Sequence, residues 1–463
     1  YLALQKIGCI PTASLITHRH REISQFVALT GAAACVTPDR YRDFSFTDMV
    51  RRVRADNPGL KTCLVLGEVT GELAADGFVS LSEMIEKPAT RPGEDLDAIA
   101  IDPTDPALFQ LSGGTTGTPK LIPRTHNDYA YVSRMTAGFL GTDAESRMLM
   151  ALPMAHNLPL ASPGLQGYLF QGGQVVLSAS TRPADIFRLV EKHRIDHIPV
   201  VPAMLMDWLG APEVADYDLS SLKLIQTGGQ PLHAEARKQA GALFPNAFVQ
   251  DNFGMGEGML MYVRRDDAEE VRLTTIGRPI CADDEVLLLD EDDNPVTDGE
   301  VGEFCARGPY TIRGYYAAPE HNVRAFTADG FYRSGDLMRR HPSGNYVIAG
   351  RRKDLINRGG EKISAEEVEN LILQHASIAN VACVPMPDEK LGERMCAFVT
   401  LKAGGTLTLP ELVDFLTGRE IAKFKLPERL EVLDEFPVST FGKISKKTLA
   451  EMAAGMRAGS EKS

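Results

Sequence analysis

Several familiar devices are missing from this sequence. Its seven cysteines, at 9, 35, 63, 281, 305, 383 and 396, form no C-x-x-C pair and no metal-like spacing. An odd, scattered set excludes a disulfide framework and leads us to expect reduced thiols in a cytoplasmic protein. The ten histidines include no H-E-x-x-H, so that zinc pattern is excluded. No apolar run reaches the roughly 18 residues that a membrane-spanning helix requires. Positive charge is in deficit, with a formal net charge of -13. Nucleic acid and anionic membrane both reward a basic face, so neither is expected as a partner, although a local basic site for a nucleotide stays compatible. The usual nucleotide loop, G-x-x-x-x-G-K-[ST], is absent too. Residues 111–129, "LSGGTTGTPKLIPRTHNDY", come near it, but Pro119 stands where that motif needs a glycine beside its lysine.

A chain of 463 residues is too long for one hydrophobic core, so two or more domains are expected. It opens "YLALQKIGCIP", with no initiator Met, no signal-peptide pattern and an apolar helical pattern already running. We therefore expect the natural protein to extend further at its N-terminus. Up to about residue 270, apolar β-branched runs alternate with helix-like stretches. "GGQVVLSAS" (172–180), "DHIPVVPAML" (196–205) and "LKLIQTGG" (222–229) read as strands, while "PADIFRLVEKHRI" (183–195) and "HAEARKQAGALF" (233–244) read as helices. That alternation favours a parallel α/β sheet. Beyond it, "EVLLLDEDDNPVTDGEVGEFCARG" (285–308) has short strands and D-D-N-P and D-G turns, as in an antiparallel sheet or small barrel. Residues 344–373 read strand, charged turn, glycine pair, helix, and the rest to about 450 reads as a small α+β unit with a frayed tail, "AAGMRAGSEKS".

Five stretches can carry chemistry. In the 112–120 loop, Gly113, Gly114 and Gly117 allow backbone amides to point inward. Ser112, Thr115, Thr116 and Thr118 add hydroxyls and Lys120 a cation, which together make a nest for a polyphosphate. "DNFGMGEG" (251–258) sets the Phe253 ring beside Gly254, and sets one carboxylate, Glu257, between two glycines. Mg²⁺ takes one or two carboxylates plus phosphate oxygens, so Glu257 is a candidate ligand, although a lone Glu in a turn is more often only exposed. Asp336 in "YRSGDL" can accept two hydroxyls of a ribose or merely cap a turn. "GRRKDLINRGGEKISAEEVE" (350–369) packs cations around Gly359-Gly360, and "FPVSTFGKISKK" (436–447) offers Lys443. Taken singly, each of these last two reads as a solvated charge run.

Their order along the chain is the informative part. "LSGGTTGTPKLIPRTHNDY", "NFGMGEG", "YRSGDL", "GRRKDLINRGGEK" and a late "GK" resemble the ordered motifs of the adenylate-forming superfamily. That superfamily holds acyl-CoA synthetases, nonribosomal adenylation domains and luciferases. "PRTHNDY", "PMAHNLPLASPG" (153–164), "RGPYTIRGYY" (307–316), "INRGGEKISAEEVE" and "AKFKLPERLE" (422–431) resemble more narrowly the stand-alone aryl-acid ligases of siderophore biosynthesis, of the 2,3-dihydroxybenzoate–AMP ligase type. The resemblance runs through essentially the whole chain.

The resemblance implies an α/β fold. A large N-terminal core, 1–352, would hold two α/β sheet subdomains and a small β-barrel, with its β-rich part at about 271–352. A small mobile α+β lid, 353–463, would follow, hinged at Lys353. It implies ATP and Mg²⁺ as cofactors, an aryl acid as substrate, and the phosphopantetheine thiol of an aryl carrier protein as acceptor. Ser112, Gly113, Gly114, Thr115, Thr116, Gly117 and Lys120 would hold phosphates. Gly228, Gly229, Gln230, Asn252, Phe253 and Gly254 would surround adenine, with Gln230 standing where related ligases often have Ala. Asp336 and Arg351 would take the ribose hydroxyls, and Glu257 with Thr116 would serve Mg²⁺. Lys443 would bridge carboxylate and α-phosphate, then leave as Gly359-Gly360 comes to line the pantetheine tunnel. His156, Asn157, Leu158, Ser162, Gly229 and Leu260 would line the aryl pocket, with His156 closing over the carboxylate.

The pocket residues pull two ways. Asn157 matches a partner for the ortho hydroxyl and Ser162 one for the 3-hydroxyl, which favours 2,3-dihydroxybenzoate. Leu158 replaces a Tyr, and Leu260 matches salicylate enzymes. Met259 and Met261 beside it are soft enough to reshape the wall. Salicylate, or a hydroxypicolinate or aminobenzoate, is the alternative acid. CoA is the alternative acceptor, although no additional basic patch for its 3′-phosphate is evident. A non-catalytic relative is disfavoured by the joint presence of Lys120, Glu257, Asp336, Arg351 and Lys443.

Overall fold

The computed structural model describes the chain except residues 88–92, 113–119, 230, 231, 233, 360, 389, 420, 439–443 and 457–463, and the side chains of Glu94, Lys353 and Lys362. Two compact units emerge, Tyr1–Ala130 with Gly314–His321, and Tyr131–Arg313 with Asn322–Ser463.

In the first unit, strands Ala34–Pro38, Thr62–Leu66 and Phe78–Ser80 form a parallel sheet. Its buried side packs on helices His20–Thr30 and Phe46–Asp56 through Val27, Phe46, Val50, Val53, Cys63 and Phe78. The second helix starts where Ser45 Oγ accepts the Asp48 amide, an ordinary N-cap. A separate antiparallel hairpin, Pro106–Leu111 with Leu121–Thr125, brackets the glycine-rich loop.

The second unit is built on a seven-stranded sheet. In spatial order its strands are Arg278–Pro279, Gly258–Tyr262, Phe248–Met255, Leu224–Gly228, His197–Val200, Arg147–Met150 and Gln174–Leu177. The five from Phe248–Met255 onward run parallel and the first two antiparallel. Helices Pro183–His193, Pro202–Leu209 and Ala234–Leu243 seal one core, with Phe187, Trp208 and Phe244 in mutual ring contact. The expected strand at 196–205 is in fact two elements. A strand ends at Val200 and a helix begins at Pro202, with proline in its favoured first-turn place. Both pieces are apolar through residue 205, so hydrophobic pattern alone could not divide them.

Strands Glu285–Leu289, Val301–Arg307, Tyr332–Arg340 and Tyr346–Arg351 form the antiparallel sheet expected after residue 270. After it comes a hairpin not anticipated from the sequence, Leu355–Arg358 with Glu361–Ser364, turning at Gly359 with φ +60°. It joins strands Gly392–Leu401, Ile378–Asp388 and Arg429–Val432 in a mixed sheet packed by helices Ala365–Ile372, Leu409–Thr417 and Lys446–Gly455. Ala453, assigned to a frayed tail from sequence, is fully buried in the last of these helices. Its apolar register against Phe398 and Val384 outweighs the weak Gly- and Ser-rich signal that follows.

Candidate active site

The loop hairpin is closed reciprocally at its base. The Ser112 amide donates to the Lys120 carbonyl at 3.0 Å, and the Lys120 amide donates to Ser112 Oγ at 3.0 Å. Ser112 is buried and spends an acceptor on the loop's closure. Gly113, Gly114, Thr115, Thr116 and Gly117 lie outside the described residues. The "PRTHNDY" segment serves as a scaffold for this hairpin. Fully buried Arg124 pairs with Asp128 at 2.9 Å, and Asp128 accepts the Thr125 amide at the head of helix His126–Leu140.

In the second unit, the parallel strands bring their carboxyl ends to one edge, where α/β sheets place ligands. Gly228 ends one strand there, opposite Asn252 on the next. A side chain at 228 would put Cβ 2.1 Å from Asn252 Oδ1, so glycine is required by close approach. Gly229 adopts φ +84° with open space around its missing side chain. Asn252 is buried, and its Nδ2 has no hydrogen-bond partner among the described residues. Such an orphaned donor suits a ring-nitrogen acceptor. Phe253 is half-buried, with its edge against Phe304 at 5.6 Å. Gln230 lies outside the described residues.

The aryl-pocket candidates sit on neighbouring elements. His156 precedes the short helix Asn157–Ala161 in extended conformation. Asn157 Nδ2 donates to Ser162 Oγ at 3.1 Å, while Asn157 Oδ1 is buried without a partner among the described residues. Ser162 is buried, and its carbonyl accepts the Tyr262 hydroxyl at 3.1 Å. Among the described residues the pair therefore offers one acceptor and one hydroxyl proton for a ligand. Leu158 is partly exposed. Leu260 is buried opposite Gly254, where an added Cβ would stand 2.6 Å from the Leu260 methyl.

Glu257 occupies the turn between strands Phe248–Met255 and Gly258–Tyr262, and its carbonyl accepts the Ile312 amide at 2.8 Å. Among the described residues no cluster of three or more His, Cys, Asp or Glu could cage a metal. A single carboxylate fits Mg²⁺, which keeps waters and phosphate oxygens in its shell, and does not fit a metal that needs a full protein cage.

Asp336 and Arg351 are direct cross-strand partners, with Arg351 Nε 2.8 Å from Asp336 Oδ1. Asp336 is buried, Arg351 half-exposed, and Gly335 before the carboxylate turns at φ +72°. Ser334 Oγ, bonded to the Phe304 carbonyl, accepts the Asp336 amide and fixes the turn. Next door, Ser364 Oγ donates to the Ala349 carbonyl at 2.6 Å. Burial pushes the neighbouring Glu366 carboxyl up to about 7. Lys353 lies in the short 3-10 turn Arg352–Asp354 and Lys443 outside the described residues. The base of the 439–443 segment is held by the Val438–Ile444 bridge and by the Ser445 amide donating to Pro437.

Three residues at this site escaped the sequence reading: Tyr262, Tyr310 and Asp284. Tyr310 lies inside the quoted "RGPYTIRGYY", so its motif was visible although its contact was not. A fourth feature is a buried polar row across the sheet. Tyr168 Oη lies 2.8 Å from His197 Nδ1, and Gln226 bonds Gln250, which bonds the Val263 carbonyl. Burial lowers the His197 pKa to about 3, so this imidazole is neutral.

Comparison with known proteins identifies the family. The family model for AMP-binding enzymes matches residues 1–316, and that for their C-terminal domain matches residues 367–443. A salicylyl-CoA synthase/salicylate adenylyltransferase of a Streptomyces species is 45% identical, over 98% of this chain and 82% of its own length. The 2,3-dihydroxybenzoate-AMP ligase of Bacillus subtilis is 43% identical, over 97% and 80%. The solved apo structure of Mycobacterium smegmatis MbtA superposes with a TM-score of 0.69 at 38% identity, over 97% of this chain and 81% of that one. No helix of the described residues is long and apolar enough to cross a membrane. With most of its length matched by the family model and relatives above 40% identity, this chain belongs to the AMP-binding enzyme family of adenylate-forming ligases.

Proposed function

We propose that the protein activates a hydroxy-aryl carboxylic acid as its adenylate and passes the acyl group to a thiol. The carboxylate oxygen attacks the α-phosphorus of ATP, the bond to the β-phosphate oxygen breaks, and pyrophosphate leaves. The thiol of an aryl carrier protein's phosphopantetheine then attacks the acyl carbon, forming a thioester and releasing AMP. The observation that carries the aryl assignment is the Asn157–Ser162 pair, whose acceptor and hydroxyl, unpartnered among the described residues, suit neighbouring phenolic hydroxyls.

Two anions must meet, so positive groups have to offset their repulsion. Lys443 is the residue assigned to the carboxylate and α-phosphate, and Ser112, Lys120 and the loop amides to the β- and γ-phosphates. Glu257, with Thr116 as the second candidate, would hold Mg²⁺, which would supply neutralisation of the phosphate charge. Asn252, Gly228, Gly229 and Phe253 take adenine, while Asp336 and Arg351 take the ribose hydroxyls. His156 closes over the carboxylate. Residues 353–463 act as a lid hinged at Lys353, which withdraws Lys443 for the second half-reaction. Seven unpaired thiols are consistent with a reducing, cytoplasmic setting.

The favoured acid is 2,3-dihydroxybenzoate, on Ser162. Salicylate is the second reading, supported by the apolar Leu158 and Leu260 and by the salicylate-specific name of one relative. That relative's name also motivates CoA as an alternative acceptor. ATP–pyrophosphate exchange with a panel of benzoates tests the first half-reaction. Thioester formation on carrier protein against CoA tests the second.

A further inference from the structure

The turn that carries both Glu257 and Leu260 has an unusual backbone. Met259 is fully buried yet adopts φ +60°, a left-handed conformation that side-chain-bearing residues rarely keep unless their surroundings impose it. Gly258 before it has φ +127°, and an added Cβ would stand 2.5 Å from Thr311 Cα. The imposing segment is 310–312. The Ile312 amide donates to the Glu257 carbonyl at 2.8 Å on one side of Met259. On the other side, the Leu260 amide donates to Tyr310 Oη at 3.1 Å, and Tyr310 donates its hydroxyl proton to Asp284 Oδ2 at 2.6 Å. Leu260 then packs its methyl into the space left by Gly254.

We infer that Tyr310, oriented by Asp284, is a positioning residue that sets the Leu260 wall of the acid pocket and so governs acid selectivity. The consequence for acid selectivity rests on the proposed function. The bond chain is directional. The carboxylate fixes which way the phenol proton points, which leaves the phenol oxygen facing the Leu260 amide. Without that acceptor the amide is buried and unpaired, and the left-handed turn loses one of its two straps. The wall then moves against the aryl ring while the ribose pair is untouched.

The experiment compares wild type with Tyr310→Phe, Asp284→Ala and Asp284→Asn in ATP–pyrophosphate exchange. Acid is varied at saturating ATP, and ATP at saturating acid, using salicylate and 2,3-dihydroxybenzoate. Tyr310→Phe is expected to raise KM for the acid about tenfold, from the cost of one unpaired buried amide. It should change the ratio of the two acids' kcat/KM and leave the KM for ATP within about twofold. Asp284→Ala should follow it, and Asp284→Asn, which keeps an acceptor for the phenol, should recover most of the acid KM. Amide hydrogen exchange on the same proteins should be faster at Leu260 in Tyr310→Phe and unchanged at Tyr262. Unchanged acid KM, equal shifts for acid and ATP, or unaltered Leu260 exchange would overturn the inference. If wild type exchanges with no hydroxybenzoate, the functional reading fails instead, and the Leu260 amide still decides whether Tyr310 is the strap.

Discussion

Asp336 and Arg351 face each other across an antiparallel strand pair, 2.8 Å apart, with the carboxylate buried and the guanidinium half in solvent. The arginine holds one carboxylate oxygen, and the proposed function gives this pair the ribose hydroxyls of ATP.

Asp336→Ala should therefore raise the KM for ATP by roughly ten- to a hundredfold, the cost of hydrogen bonds to a charged acceptor. The acid KM should not follow. Wild type should discriminate against 2′-deoxy- or 3′-deoxy-ATP, and the variant should treat these and ATP nearly alike. Retained discrimination would move the ribose contact elsewhere.

Gly228→Ala tests the adenine cradle. The new methyl would meet Asn252 Oδ1 at 2.1 Å and the Asn252 carbonyl at 2.9 Å. Overpacking of this kind costs about 1–3 kcal/mol. The expected result is a lower melting temperature and weaker ATP binding by calorimetry, with acid binding preserved. An unaffected ATP affinity would disconnect Asn252 from the nucleotide.

Asp284 gives a pH signature. Burial raises its carboxyl from 3.8 to about 7. The folded protein therefore binds more protons than the unfolded chain between those values, and stability falls as pH rises through that window. Above about 7 the contribution is lost and the curve is flat in this group. Denaturant titrations of Asp284→Asn from pH 4 to 8 should show a shallower fall than wild type. Glu366, raised from 4.5 to about 7, contributes the same sign in both proteins and cancels in the comparison. Parallel curves would mean that Asp284 stays ionised in the fold.

Lys443→Ala should reduce exchange by at least a hundredfold, as loss of a preorganised charge partner does. Thioester formation from supplied aryl-AMP should survive. Lys353→Pro should impair the two half-reactions unequally. Equal loss of both in Lys443→Ala, or equal rates in Lys353→Pro, would remove the roles given to these lysines.

Much of this architecture was legible in the residues, and the failures have physical causes. The parallel strands near 174, 197 and 224 announced themselves by β-branched runs ending in Gly, Pro or Ser. The hairpin at 355–364 was hidden because each of its strands is only four residues long and the charged residues around its buried Ile356 and Ile363 read as a turn. Ser112 was read as a phosphate donor, and the fold also uses its oxygen to close the loop. The motif names both Asn157 and Ser162, and the structure joins them by a hydrogen bond. Tyr262 and Tyr310 could not be found that way. Their work is done through hydroxyls meeting backbone groups 100 and 50 residues distant, which no local pattern encodes.

The central claim is adenylation of a hydroxy-aryl acid, and ATP–pyrophosphate exchange with 2,3-dihydroxybenzoate, salicylate and unsubstituted benzoate tests it most directly. The account predicts exchange with both hydroxybenzoates, a higher kcat/KM for 2,3-dihydroxybenzoate, and little with benzoate, which leaves the Asn157 acceptor unpaired. Salicylate in the lead would transfer the pocket to the Leu158 and Leu260 reading. Exchange with none of the hydroxybenzoates would contradict the account.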